Sequence, residues 1–224
     1  MSETAARGTD EATFVIWCDF GGVISANLDR ALDDVARQAG IPWPQIARAA
    51  ATVADEAGLH GLQPLELGIM TQHEWGSLVA DELTASPRAR DVLCNFDRHY
   101  YRTRTLDQDL LDGLEGLRGE NVQLGMLTNS VLEWEPHRQT LLAGSAEFDY
   151  YLRSHEVGLA KPDPAIYTLA DSVLGGSGAR RILIDDLAVN CASAESHGWR
   201  AIRHVDAPST LGELRRLLAG DVRR

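Results

Sequence analysis

A continuous apolar run near the N-terminus ends in an aspartate and two glycines: Thr13-Phe14-Val15-Ile16-Trp17-Cys18-Asp19-Phe20-Gly21-Gly22. Strands that are buried on both faces of a parallel sheet have such uninterrupted apolar sequences, whereas half-exposed strands alternate between apolar and polar residues. The run therefore predicts the first and central strand of an α/β sheet, with Asp19 at its carboxyl end.

The chain beyond this strand shows one long helical stretch and then a regular alternation. Between 26 and 104 the apolar residues recur at helical spacing, and no strand is predicted. Later strands are predicted at 122–127, 148–152, 181–184 and 200–203, and helices at 106–117, 164–174, 188–197 and 210–218. This order favours a Rossmann-like parallel sheet with an all-helical cap inserted after the first strand. The predicted division is a flexible tail at 1–11, a core at 12–25 and 105–224, and a cap at 26–104.

The composition argues against several classes of protein. With 224 residues, 44% of them hydrophobic, the chain can bury one large core. A formal net charge of −12 argues against broad contact with nucleic acid or with an anionic membrane. The sequence contains no apolar stretch of about 18 residues and no signal-peptide pattern, so we expect a cytoplasmic protein without a membrane span. Three cysteines without disulfide or zinc spacing are expected to be mostly buried, reduced thiols: Cys18, Cys94 and Cys191.

The chain contains one lysine, Lys161, within the run Gly158-Leu159-Ala160-Lys161-Pro162-Asp163-Pro164-Ala165-Ile166-Tyr167. An ammonium group acts as a compact point charge, which the planar guanidinium of arginine does not. The two prolines favour an extended, turn-like backbone, and Asp163 can cap the helix that follows. We therefore expect Lys161 to be held at a loop–helix junction, where catalytic groups tend to lie.

Polar residues follow several of the predicted strands. Asp19 follows the first, Thr128-Asn129 the second and Asp185-Asp186 the fourth, while Lys161 comes after the third. Each of them alone has an ordinary explanation as a turn former or a helix cap. Because open α/β sheets place their sites at the carboxyl ends of the strands, the order of these residues predicts one shared site.

The chemistry of this set favours phosphoryl transfer. Carboxylates that meet at one sheet edge repel each other unless a cation neutralises them, and an oxygen-rich site of this kind suits Mg²⁺. The metal and Lys161 would offset the charges of Asp19 and of an incoming phosphoryl group, so that a carboxylate can act as nucleophile. The Thr128 hydroxyl and the backbone N–H groups near Phe20 and Asn129 would hold the phosphoryl oxygens. The expected substrate is a small phosphorylated metabolite.

In this order the residues resemble the four motifs of the haloacid dehalogenase superfamily. Within the superfamily, two stretches are similar to the group that contains the phosphatase domain of soluble epoxide hydrolases and the α-glucose-1-phosphate phosphatases: Asp19-Phe20-Gly21-Gly22-Val23-Ile24 and the cap segment Leu65-Glu66-Leu67-Gly68-Ile69-Met70-Thr71. The resemblance implies a Mg²⁺-dependent hydrolase that forms an aspartyl-phosphate on Asp19. It also implies that Asp186 and the Gly21 carbonyl bind the metal, with Asp185 beside them or acting through water. The matching stretches are Asp19-Phe20-Gly21-Gly22-Val23-Ile24, Leu127-Thr128-Asn129, Gly158-Leu159-Ala160-Lys161-Pro162-Asp163-Pro164 and Ile184-Asp185-Asp186 with Asn190.

The sequence departs from that pattern at Gly21. Most phosphatases of the superfamily have an aspartate there, which protonates the leaving alcohol and activates water; general acid–base catalysis is typically worth about 10²–10⁴-fold in rate. A phosphomutase is therefore disfavoured. Hydrolysis would need a good leaving group or an acid from another part of the chain, for which His60 and His137 are the preferred histidines.

Two other functions are compatible with these residues. A 2-haloacid dehalogenase would use Asp19 and Lys161 without metal, but the Asp185-Asp186 pair favours a cation, and no cap arginine can be assigned to a substrate carboxylate. A non-catalytic binding or regulatory protein could have kept the fold after losing the acid at Gly21; a purely structural domain is disfavoured by the joint pattern. Near the site, Trp43 and Trp134 are expected as pocket walls, and Arg102 or Arg104 as a substrate contact.

Overall fold

A computed structural model describes residues 13–26, 28–119, 121–175 and 178–221. The tail predicted at 1–11 lies outside these residues. In chain order the elements are β1 (Phe14–Cys18), β2 (Ser25–Ala26), α1 (Leu28–Ala39), α2 (Trp43–Glu56), α3 (Gln63–Glu66), α4 (Gln72–Glu82), α5 (Pro87–Cys94), α6 (Phe96–Tyr100), β3 (Thr105–Leu106), α7 (Gln108–Glu115), β4 (Val122–Thr128), a 3-10 turn (Leu132–Trp134), α8 (Glu135–Leu142), β5 (Tyr150–Arg153), α9 (Ser154–Val157), α10 (Pro164–Val173), β6 (Arg180–Asp185), α11 (Ala188–Ser196), β7 (Arg200–Arg203) and α12 (Ala207–Asp221).

Five parallel strands form the central sheet in the order β5-β4-β1-β6-β7. The predicted central strand is confirmed, since β1 pairs with β4 on one side and β6 on the other. The backbone N–H of Asp19 donates to the carbonyl of Ile184 at 2.9 Å, so the ladder continues one residue beyond β1. The end of β1 is thus tied directly to the end of β6.

Both faces of the sheet are covered, which explains why β1 is apolar at every position. Phe14 and Ile16 belong to a large apolar cluster on one face, while Val15 and Trp17 belong to a second cluster on the other. Gly125 in β4 lies against the Trp17 ring: a Cβ added there would lie 2.5 Å from Trp17 Cε3. Only glycine therefore allows the Trp17 indole to lie flat against the neighbouring strand.

The predicted helical insertion after the first strand is confirmed, and it contains α1 to α6. Its two ends are joined by a short ribbon that the sequence did not indicate: β2 and β3 pair antiparallel, with Ser25 opposite Leu106 and Ala26 opposite Thr105. The helical pattern predicted from 26 therefore begins later, with α1. A two-residue pairing across so long an insertion leaves no periodic signal in the sequence.

The sequence also missed α8 and the 3-10 turn before it. The buried positions of α8 are Glu135, Arg138 and Leu142, so two charged residues occupy the face that an amphipathic pattern would fill with apolar ones. The short α9 was missed as well, and the strand predicted at 148–152 is β5, shifted towards the C-terminus.

The three cysteines are unpaired and buried, as expected. Among the described helices, none has the length and apolar character needed to cross a bilayer.

Candidate active site

The ammonium group of Lys161 lies between two aspartates at the carboxyl ends of β1 and β6. Its Nζ is 3.0 Å from Asp19 Oδ1 and 2.6 Å from Asp185 Oδ2, and the lysine side chain is only 1% exposed. Burial alone would lower the pKa of Lys161, but the two neighbouring carboxylates raise it above its ordinary range. Lys161 is therefore a permanent positive charge beside Asp19.

The backbone of Lys161 is held by the side chain of Asn129, which follows β4. Asn129 Oδ1 accepts from the Lys161 N–H at 2.8 Å, and Asn129 Nδ2 donates to the Lys161 carbonyl at 2.9 Å. On the other side, Asp163 caps α10 by accepting from the N–H of Ala165 at 2.8 Å. The predicted loop–helix junction is confirmed, and Asn129 connects it to the end of the neighbouring strand.

Asp185 is fully occupied by donors from the protein. Besides Lys161, its carboxylate accepts from Asn190 Nδ2 at 2.9 and 3.1 Å and from the N–H of Leu187 at 2.9 Å. The side chain is completely buried. Asp185 thus positions Lys161, and a direct bond from its oxygens to a metal would compete with these hydrogen bonds.

Asp186 and Asp19 are the carboxylates that best suit a cation. Ligand atoms of Asp19, Asp185 and Asp186 lie within 4.8 Å of one another. Burial, followed by repulsion from Asp19 and Asp185, raises the pKa of Asp186 to about 6. Burial also raises the pKa of Asp19, and Lys161 opposes that shift. Burial and neighbouring carboxylates thus both disfavour the charged forms, which a bound cation would stabilise, and the oxygen donors fit a hard divalent cation such as Mg²⁺.

Gly22 permits the close approach of Asp186 to the loop after β1. Gly22 has a φ of +82°, and a Cβ added there would lie 2.3 Å from Asp186 Oδ2. A side chain at this position would therefore displace the carboxylate as well as strain the backbone. The adjacent Gly21 differs, since a Cβ there would meet only Arg104 Nη2, at 3.8 Å.

A cavity of about 300 Å³ opens above these residues, between the sheet and the helical insertion. Of the site residues predicted from the sequence, all except Asp185 line it. Its far wall is mainly apolar and aromatic and comes from the inserted helices and the 3-10 turn. The lining comprises Asp19, Phe20, Gly21, Thr128, Asn129, Lys161, Asp186, Leu187 and Asn190 on the sheet side, and Leu28, Leu32, Trp43, Leu62, Glu66, Phe96, Tyr100, Tyr101, Arg104, Trp134 and Arg138 opposite and around them.

Arg104 is a buried cation in the wall of this cavity. Its guanidinium donates to Ser25 Oγ at 2.8 Å and to the Tyr100 hydroxyl at 2.6 Å. Within the described part of the chain, no carboxylate forms a salt bridge with it. A buried charge without a counter-ion is costly, so Arg104 favours an anionic group in the cavity.

Of the other residues that the sequence singled out, some line the cavity and others lie away from it. Trp43 and Trp134 line the cavity, as expected. Arg104 rather than Arg102 reaches it. The two histidines considered as proton donors do not: His60 is almost fully exposed beside Asp55, and His137 is hydrogen-bonded to Asp97 at 2.8 Å. The expectation that either histidine replaces the acid is therefore not supported by their positions.

The sequence did not single out Glu66 as a site residue, although it lies in the quoted cap segment. Glu66 ends α3 and lines the cavity, and its Oε2 is 3.4 Å from Asn129 Nδ2. Burial, followed by the nearby charge of Asp19, raises its pKa to about 7. The only signal in the sequence was the resemblance of that segment, because the position of α3 over the sheet depends on tertiary packing.

The chain belongs to the haloacid dehalogenase-like hydrolase family, whose family model matches residues 25–198. The protein is therefore a hydrolase with the α/β fold of that family. It is 31% identical over 184 residues to the phosphatase MT3486 of Mycobacterium tuberculosis, a match that covers 81% of this chain and 82% of the relative.

Two solved structures illustrate the range of this fold. The family enzyme BT-2542 of Bacteroides thetaiotaomicron, in complex with magnesium and inorganic phosphate, is 18% identical with a TM-score of 0.59; the match covers 87% of this chain and 95% of that one. A 2-haloacid dehalogenase of Pseudomonas syringae is 16% identical with a TM-score of 0.64, covering 92% and 98%. At these identities the similarity establishes the fold alone.

Proposed function

We propose that this hydrolase is a Mg²⁺-dependent phosphatase that cleaves a small phosphate monoester through an aspartyl-phosphate on Asp19. The observation that carries the proposal is the position of Asp19, 3.0 Å from the ammonium group of Lys161 and within one carboxylate cluster with Asp186. The similarity to the phosphatase MT3486 supports it. So does the fold shared with BT-2542, which was crystallised with magnesium and phosphate.

Each predicted residue has a role in this reaction. An Asp19 carboxylate oxygen attacks phosphorus as the ester oxygen departs, and water then cleaves the resulting acyl phosphate. Lys161 offsets negative charge beside Asp19, while the Thr128 hydroxyl and the backbone N–H groups of Phe20 and Asn129 hold phosphoryl oxygens. Asp19, Asp186 and the Gly21 carbonyl, with Asp185 beside them, would hold Mg²⁺. When bound, the ion supplies positive charge that neutralises the transferring phosphoryl group.

The shape of the cavity favours a compact substrate whose alcohol part is largely apolar. The helices α1 to α6 act as a cap in this proposal, with boundaries near the β2–β3 ribbon, and they supply the aromatic wall. Arg104 adds a place for a second anionic group on the substrate. We place the reaction in the cytoplasm, without nucleic acid or membrane as partner.

A second function, hydrolysis of a 2-haloacid, is favoured by one specific observation. The buried Arg104 has no carboxylate partner among the described residues and could bind the carboxylate of a haloacid, which the sequence alone could not assign to any arginine. Asp19 would then displace the halide. The Asp186 carboxylate argues against this function, because burial, followed by repulsion from Asp19 and Asp185, raises its pKa, and a metal-free reaction would provide no cation to stabilise its charged form.

Turnover of p-nitrophenyl phosphate, measured with MgCl₂ and then with EDTA, tests the proposal. The phosphatase requires that EDTA stops turnover, that added Mg²⁺ restores it, and that Asp19→Asn abolishes it while the thermal midpoint stays close to wild type. Halide release from 2-chloropropionate in EDTA, with no phosphatase activity, would instead establish the dehalogenase. Absence of both activities across a panel of esters would favour a binding protein.

A further inference from the structure

Among the described residues at the strand ends, the proposed phosphatase leaves no carboxyl group free to protonate the leaving alcohol, because Asp19 is the nucleophile and Asp186 would hold the metal. Gly21 has no side chain, Lys161 is held by two carboxylates, and Asp185 accepts hydrogen bonds from Lys161, Asn190 and Leu187. In a phosphatase, the leaving oxygen of an ordinary alkyl ester develops a charge that must be neutralised. The donor, if the protein has one, must therefore lie elsewhere on the cavity wall.

We propose that Glu66, at the end of α3, protonates the leaving oxygen and then activates the water that cleaves the aspartyl-phosphate. This inference rests on the phosphatase function proposed above and identifies the residue that replaces the acid missing at Gly21. It assigns that task to the cap, although in most phosphatases of the family it belongs to the loop after the first strand.

Glu66 is the carboxyl group of the cap that lines the cavity next to the nucleophile. Glu66 contacts the Asn129 side chain, which also forms hydrogen bonds with the backbone N–H and carbonyl of Lys161. Glu66 and Asp19 line the same cavity. The apolar and aromatic wall around the site includes no other carboxyl group of the inserted helices among the described residues.

A close contact between α3 and α9 holds Glu66 over the sheet. Gly68, two residues after Glu66, has a φ of +67°, and a Cβ added there would lie 3.1 Å from the carbonyl oxygen of His155. The turn after α3 therefore packs directly on the backbone of the core. Glu66 is thus fixed relative to Asn129 by a contact that leaves no room for a larger residue.

The proton transfers balance over the two steps. In the first, Asp19 forms a bond to phosphorus, the bond from phosphorus to the ester oxygen breaks, and that oxygen takes the Glu66 proton to leave as an alcohol. In the second, the Glu66 carboxylate takes a proton from water, which attacks phosphorus and releases inorganic phosphate and Asp19. A pKa of about 7 suits both steps, because the carboxyl is then substantially populated in both forms near neutrality.

The test compares Glu66→Gln with wild type on esters whose leaving groups differ in pKa. For a primary alkyl phosphate we expect kcat/KM to fall by about 10²–10⁴-fold, whereas for p-nitrophenyl phosphate, whose phenolate leaves without a proton, the loss should be smaller than about 10-fold. The dependence of kcat/KM on leaving-group pKa should therefore be shallow in wild type and steep in the variant. Glu82→Gln, at an exposed carboxyl at the end of α4, is the matched control and should behave as wild type.

A rescue experiment distinguishes proton transfer from a merely structural role. Gly21 has an ordinary φ and space for a Cβ, so Gly21→Asp can supply a carboxyl from the core side. When Gly21→Asp is added to Glu66→Gln, kcat/KM for the alkyl ester should be at least about 10-fold higher than in Glu66→Gln alone. It should leave the p-nitrophenyl phosphate value almost unchanged. Thermal unfolding of each variant checks that the fold is intact.

The outcomes separate this inference from the proposed function. If Asp19→Asn abolishes Mg²⁺-dependent turnover but Glu66→Gln lowers kcat/KM equally for all esters, the phosphatase stands and Glu66 is not the acid. The same conclusion follows if Glu66→Gln has no effect on any ester. If wild type hydrolyses no ester in the panel, the proposed phosphatase function is wrong, and so is the proposed role of Glu66.

Discussion

At the scale of single residues, the site depends on a buried lysine that stabilises its neighbours and is stabilised by them. Moving an ammonium group from water into a protein is costly, and only close carboxylates offset that cost. Lys161 meets two of them, at 2.6 and 3.0 Å. Its length and its small charged group are therefore fitted to the distance between β1 and β6.

Lys161→Arg is expected to fail almost as badly as Lys161→Ala. The planar guanidinium is larger than an ammonium and would displace Asp19 or Asp185 in a space with almost no solvent access. We expect kcat to fall by at least about 10²-fold in both variants, the scale on which loss of one charge-stabilising group acts. Steady-state kinetics with p-nitrophenyl phosphate provides the measurement. Near-wild-type kcat in the arginine variant would show that a point charge is not required.

Glu66 also makes the stability of the metal-free protein depend on pH. Its pKa rises from 4.5 to about 7 on folding, so between these values the folded state binds more protons than the unfolded state. The free energy of unfolding of wild type, relative to Glu66→Gln, should therefore decrease as pH rises through this window and level off above it. Urea unfolding of both proteins in EDTA, at about pH 5 and about pH 8, tests the sign. A difference that is independent of pH would mean that Glu66 titrates normally.

At the scale of elements, the proposed functional residues come from two kinds of structure. The strand ends supply Asp19, Thr128 and Asp185, whose positions follow from the pairing of β1 with β4 and β6. The cap supplies Glu66 through α3, a helix of four residues that is too short to hold its position alone. Its place depends on the contact of the following turn with α9.

Gly68→Ala tests this contact, with Gly58→Ala as a matched control. The two glycines have φ values of +67° and +69°, so alanine at either position should cost about 1–2 kcal/mol of stability in the left-handed conformation. Only at Gly68 would the new Cβ also press on the His155 carbonyl. We expect Gly68→Ala alone to lower kcat/KM for alkyl phosphates by about 10-fold, because a small displacement of a catalytic group has a large effect on rate. Equal kinetics in the two variants would show that the contact does not position Glu66.

At the scale of the whole molecule, the cavity exists because the cap rests on the core. Gln72, at the start of α4, is central to this contact: its Oε1 accepts from Trp134 Nε1 at 2.7 Å, and its backbone N–H donates to Glu133 at 2.9 Å. Its Nε2 donates to Asp97 within the cap, also at 2.7 Å. One buried amide therefore joins helices of the insertion to the turn after β4.

Binding of Mg²⁺ should stabilise the whole fold through the same carboxylates that destabilise it without metal. At a concentration 100 times the dissociation constant, the gain for wild type is about 2.7 kcal/mol. Asp186→Asn should lose most of this gain. Without metal at neutral pH the variant should be more stable than wild type, because it removes a carboxylate whose charged form is disfavoured by burial and by repulsion from Asp19 and Asp185. Thermal unfolding with and without MgCl₂ measures both effects, and Asp33→Asn, at an exposed position in α1, serves as control. A full Mg²⁺ shift in Asp186→Asn would exclude Asp186 as a principal ligand.

The residues at the strand ends could be predicted because their positions depend on local pattern and one general rule. A run such as 14–18 is apolar at every position only if the strand is buried on both faces, and parallel strands bring their carboxyl ends to one edge. Asp19, Asn129 and Asp186 follow directly from this rule, whereas Lys161 was predicted because it is the one lysine of the chain and lies in a proline-containing run. The helical nature of the insertion was equally evident, since periodicity is also a local property.

The contributions of the cap depended on packing between distant segments. The β2–β3 ribbon has no periodic signal, Glu66 was marked only by the resemblance of its segment, and Arg104 could not be distinguished from Arg102. The buried face of α8 carries the charged residues Glu135 and Arg138, so its helical pattern was not recognised. Which side chains of six helices face Asp19 is set by helix crossing angles and by close contacts such as that of Gly68, which involve residues far apart in the chain. Sequence pattern therefore predicts Asp19, the proposed nucleophile, and its charge partners, whereas the position of Glu66, the proposed proton donor, and the walls of the cavity depend on packing of the cap on the sheet.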